Sequence, residues 1–127
     1  MNRTKERLSP GVTEPWFLPE YPDRPVYAVI PDRYDPAEPI GLFFFMHGGD
    51  VSSPPEQPFN LYINEKNGVL QPHIADIPFI TVAPAALAAV DGKRWNRHGV
   101  AEYILAIIED ACSKFNIDRD RIILSGH

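Results

Sequence analysis

The chain has 127 residues, enough for one ordinary domain and no more. Its 44% hydrophobic content is that of a globular protein and excludes a disordered or fibrous one. A net charge of −5 argues against nucleic acid or an anionic membrane surface as partner, and no run approaches the ~20 apolar residues of a membrane span.

Residues 1–24 carry Pro10, Pro15, Pro19 and Pro22 with Trp16, Phe17 and Tyr21 between them. Proline fixes φ and removes a donor, so this stretch reads as an irregular arm pinned by its aromatics. The first seven residues are charged and no apolar h-region follows, so no secretory leader is expected and the location expected is cytoplasmic. The lone Cys112 agrees with a reducing setting, since it can form neither an internal disulfide nor a cysteine zinc site.

Residues 25–127 read as a second, structured unit. Pro25-Val26-Tyr27-Ala28-Val29-Ile30 is a strand ended by Pro31, and 32–39 is a polar, proline-bearing turn. The run 41–46 is apolar on both faces, as in a central parallel strand covered by helices. Proline-rich loop follows to Phe59. A short helix falls within 60–75, interrupted by Gly68 and Pro72. A buried strand at 78–83 stops at Pro84, and 85–98 is loop. From 99 to 115 the apolar residues Val100, Ile104, Ile107, Ile108, Ala111 and Phe115 make one stripe of an amphipathic helix, with Cys112 as a small core residue. Asn116 stops that helix, Asp118 to Arg121 turn, and 121–125 is the last strand. Strands alternating with helices predict an α/β fold with a mostly parallel sheet and flanking helices. In such sheets ligands bind beyond the carboxyl ends of the strands, where the loops after Met46 and Ser125 both fall.

Two motifs at that edge carry chemistry. His47-Gly48-Gly49-Asp50 follows a buried strand, and its glycines let the backbone turn and bring bare N–H groups close to a substrate. Ser125-Gly126-His127 ends a strand with the first half of the nucleophile elbow Gly-x-Ser-x-Gly; the position where the serine stands comes after residue 127. Ser52 and Ser53 lack elbow context. Trp95, beside Arg94 and Arg97, is a candidate wall of a substrate pocket or an anchor for the base of its loop. His73 and His98 read as solvent-exposed loop residues. The four histidines show no metal-ligand spacing, so neither a metal nor a cofactor is expected.

These pieces resemble the α/β-hydrolase family, in particular its compact bacterial esterases and depolymerases. The resemblance runs through Leu42-Phe43-Phe44-Phe45-Met46-His47-Gly48-Gly49, Phe79-Ile80-Thr81-Val82-Ala83-Pro84, the helix near 99–115, and Asn116 to His127. It implies the amino-terminal half of a serine hydrolase, with the ester hydrolysed through an acyl-enzyme. The N–H of Gly49 is then an oxyanion-hole donor, Asp50 the alternative donor, and His47 and Gly48 brace the loop. Gly126 and His127 lead to the nucleophile. Nucleophile, acid and catalytic histidine have no counterpart in these 127 residues, so the chain is expected to be inactive alone. A small-molecule ester is the expected substrate once a carboxy-terminal half completes the site, as part of a longer chain or as a complementing one. Peptides are an alternative substrate class. A small non-catalytic α/β binding or interaction module is the alternative from outside enzymology.

Overall fold

The computed structural model describes residues 10–48, 54–90 and 92–126. Five strands form one sheet: β1 (Gly11–Val12), β2 (Val26–Ile30), β3 (Ile40–Met46), β4 (Phe79–Pro84) and β5 (Ile117–Gly126). Two helices accompany them, α1 (Gln71–Ile74) and α2 (Val100–Lys114), with a π-helical turn at Pro58–Ile63. The spatial order is β1-β2-β4-β3-β5.

The sheet is mixed, which corrects the expectation of a mostly parallel one. β1 with β2 and β2 with β4 are antiparallel; β4 with β3 and β3 with β5 are parallel. The connections explain the difference. Residues 31–39 contain no crossover helix, and a short turn can only reverse the chain, so β2 runs against β3. Each parallel partner arrives through a long excursion, β4 by way of the π-helical turn and α1, β5 by way of α2.

Alternation along the strands divides the core between two faces. Val26, Ala28, Ile30, Leu42, Phe44, Ile80 and Val82 meet Tyr103, Ile107, Ala111 and Phe115 from α2 and its end. Tyr27, Val29, Phe45 and Ala83 face Tyr62, Ile63 and Ile74 on the other side. The line of α2 turned to the sheet is Val100, Tyr103, Ile107 and Ala111, while Ile104 and Ile108 of the expected stripe sit at its flank, half-buried. Tyr103 displaces them because its ring fills the core and its hydroxyl donates to the Ala85 carbonyl. Cys112 is buried.

In the arm, the irregular chain expected from the prolines also contains β1 and a bridge between Trp16 and Val26. The Trp16 indole donates to Asp110 at 2.7 Å and packs edge-on against Phe115, clipping the arm to the end of α2. The single helix expected within 60–75 is two separate pieces. At Gly68 between them, a Cβ would lie 2.6 Å from the Tyr62 carbonyl and the Asn64 nitrogen, so the chain must pass there without a side chain. The turn expected at 118–121 is an irregularity inside β5: pairing moves from Ile40 with Ile117 to Leu42 with Ile122. Asp118 Oδ1 accepts the Asp120 N–H at 3.0 Å within it. Among the described residues, no helix is long and apolar enough to cross a membrane.

Candidate functional site

The parallel strands β3, β4 and β5 end along one edge of the sheet, and antiparallel β2 begins there. Met46 stands opposite Gly126 in the ladder, so the start of the His47-Gly48 loop and the end of β5 are neighbours across the sheet. The segment leaving β4, residues 85–89, forms the adjoining wall, with Arg24 just ahead of β2.

His47 ties these pieces together. It is only 3% exposed. Its Nε2 accepts the Ala86 N–H at 3.0 Å, so the ring proton resides on Nδ1, which donates to the Gly48 carbonyl at 2.8 Å. Burial lowers its pKa, with the Arg94 charge acting in the same direction and the Gly48 hydrogen bond opposing both. The ring is therefore neutral, with both nitrogens engaged by backbone partners. The loop is held from outside as well. Gly48 N–H donates to the Tyr62 hydroxyl at 3.2 Å, and Gln57 Nε2 donates to the Gly48 carbonyl at 3.4 Å.

The 85–89 segment is four alanines around Leu87 and is fixed through its backbone. The Ala85 N–H donates to the Pro25 carbonyl at 2.9 Å, and the Ala85 carbonyl accepts from Tyr103. Arg24 donates to the Ala86 carbonyl at 3.1 Å, and Arg97 donates to the Ala88 carbonyl. Between this segment, His47, Pro54, Pro55, Arg24 and Arg94 lies an open cleft of about 170 Å³.

Of the residues singled out in the sequence, His47, Gly48 and Gly126 meet at this edge. Gly49, Asp50 and His127 lie outside the described residues, as do Ser52 and Ser53. Trp95 does not line this cleft. Its half-buried indole finds its acceptor in the His47 carbonyl at 2.9 Å, and its ring stacks on Tyr103. It anchors the loop, and its neighbour Arg94 lines the cleft. Arg24, Tyr62, Gln57, Ala86 and Tyr103 carry no local signal of a role here; only the fold brings residues so distant in sequence to one edge.

No family model and no curated protein matches this chain. Solved structures that match it in fold include two esterases. One is a thermostable esterase, with a TM-score of 0.53 at 18% identity over 89% of this chain. The fold is that of known esterases. The other is the CE1 ferulic acid esterase AmCE1/Fae1A from the anaerobic fungus Anaeromyces mucronatus, with a TM-score of 0.60 at 15% identity over 98% of this chain. This chain spans 33% of the length of the first and 52% of the second. At such identities the likeness is one of backbone architecture, a mixed sheet with helices packed on it.

Proposed function

We propose that this chain supplies the oxyanion loop and the elbow strand of a serine carboxylic-ester hydrolase. The observation that carries this reading is the juxtaposition of the His47-Gly48 loop with Gly126 at the carboxyl edge of β3 and β5, with Met46 opposite Gly126. The fold shared with esterases supports it. The elbow serine stands after Gly126-His127 and attacks the ester carbonyl to form an acyl-enzyme, which water then hydrolyses. The backbone N–H of Gly49, with Asp50 the alternative donor, receives the oxyanion; such a donor contributes roughly 3 kcal/mol to the transition state. Neutral His47 holds the start of that loop in place. The base, its acid partner and the serine come from a carboxy-terminal part, joined to this chain or assembled with it. The unit works in the cytoplasm.

Peptide mapping of the protein from its source, combined with fluorophosphonate labelling, tests the assignment. The expected result is a serine-initiated segment following His127 that takes the label, and no nitrophenyl-acetate hydrolysis by the 127-residue chain above background. Label on Ser125, Ser52 or Ser53, or turnover by the 127 residues alone, would overturn it.

A further inference from the structure

The chain as a whole is acidic, with 17 carboxylate side chains against 12 lysines and arginines. Among its described residues, the cleft beside His47 has the opposite character. Arg24 and Arg94 both line it, and its other described lining residues are His47, prolines, alanines and Leu87. Arg24 is held from behind by its bond to the Ala86 carbonyl, and its side chain is 18% exposed. Among the described residues its one carboxylate neighbour within 4 Å is Asp23, at 3.4 Å and 76% exposed, so solvent screens that pair. Arg94 makes no ion pair among the described residues, and its charge is felt at the His47 ring. Four alanines, Ala85, Ala86, Ala88 and Ala89, make up much of the described wall between the two arginines.

We propose that this cleft is an anion subsite in which Arg24 and Arg94 hold a carboxylate of the ligand. Guanidinium groups bind carboxylates through charge-assisted, frequently bidentate hydrogen bonds, and a partly enclosed cleft strengthens them. The substrate class that follows rests on the ester-hydrolase reading: an ester whose acyl or alcohol part ends in a free carboxylate, such as a half-ester of a short dicarboxylic acid. The subsite fixes the charged end while the ester carbonyl lies toward the loop after His47.

Binding is tested without chemistry, on the 127-residue chain, by following backbone amide and His47 ring NMR signals during titration with succinate and with its neutral analogue succinamide. Succinate is expected to shift the amides of residues 85–89 and of Arg94 saturably, and succinamide to leave them in place. Arg94→Gln is expected to weaken succinate at least about tenfold, with Arg94→Lys recovering part of the loss. Arg24→Lys, which keeps the charge, provides a second variant that retains binding above that of Arg94→Gln. Equal shifts from both probes, no shift from succinate, or unchanged affinity in Arg94→Gln would each overturn the subsite. Inorganic phosphate binding in place of succinate would overturn the carboxylate assignment. None of these results depends on a nucleophile, so they stand or fall apart from the labelling experiment that tests the hydrolase reading.

Discussion

At His47 two backbone hydrogen bonds decide the protonation state, and the protonation state decides the role. An imidazolium could not accept from Ala86, so taking up a proton breaks the bond that joins the β3 loop to the segment leaving β4. Replacing His47 with Ala strands the Ala86 N–H and is expected to cost about 1–3 kcal/mol, read as a lower urea midpoint. The same residue makes stability depend on pH. Its folded pKa lies below its ordinary 6.5, so between the two values the unfolded chain binds the extra proton. The His47 contribution is therefore complete above about pH 6.5 and declines as pH falls from there toward the folded pKa. Urea midpoints measured from pH 7.5 down to 5 should fall for the native chain and fall less steeply for His47→Ala.

Among the elements, the β3–β4 pair shows how closely strand register depends on one missing side chain. Gly41 stands opposite Phe79, and a Cβ built on it would lie 2.4 Å from the Phe79 ring. The ring lies over that bare backbone, with the Arg121 guanidinium 5.2 Å from its centroid. Gly41→Ala forces the ring away and is expected to cost about 1–3 kcal/mol in thermal or urea unfolding. Phe79→Leu in the same chain should recover part of that loss, because the clash is with the ring. Equal destabilisation with and without Phe79 would place the cause elsewhere, in the strand backbone itself. Helix α2 makes the complementary point: the residue that docks it is Tyr103, whose hydroxyl reaches the loop leaving β4, so the helix positions the cleft wall as well as covering the sheet.

For the whole molecule, the two sides of the sheet end differently. At the β1 side the arm returns over α2 through Trp16, whereas among the described residues β5 pairs only with β3 and forms the other edge. Ile123 is 46% and Leu124 51% exposed. Adjacent residues of a strand point to opposite faces, so neither face of β5 is covered at this point. A ten-residue edge with open apolar faces invites strand-to-strand association. Light scattering of the 127-residue chain is expected to rise with concentration, and Ile123→Lys with Leu124→Lys to suppress it at little cost in melting temperature. A monomer at every concentration in the unsubstituted chain would contradict this.

The local sequence determines the elements whose cause is local. Hydrophobic periodicity marks the strands at Val26–Ile30, Ile40–Met46 and Phe79–Pro84 and the helix Val100–Lys114, and prolines end the first and third of these strands. His47-Gly48 at the mouth of a buried strand is legible for the same reason: a motif and its neighbours along the chain suffice to see it. What depends on contacts between distant residues was decided only in three dimensions. Periodicity does not say which strand a strand will pair with, so the reversal of β2 and the insertion of β4 between β2 and β3 came from the connections and the packing. Trp95 and Arg94 are adjacent in the chain, and either could have faced the cleft. The His47 carbonyl drew the indole inward as a hydrogen-bond acceptor, and the guanidinium was left at the cleft, where its charge can meet a ligand.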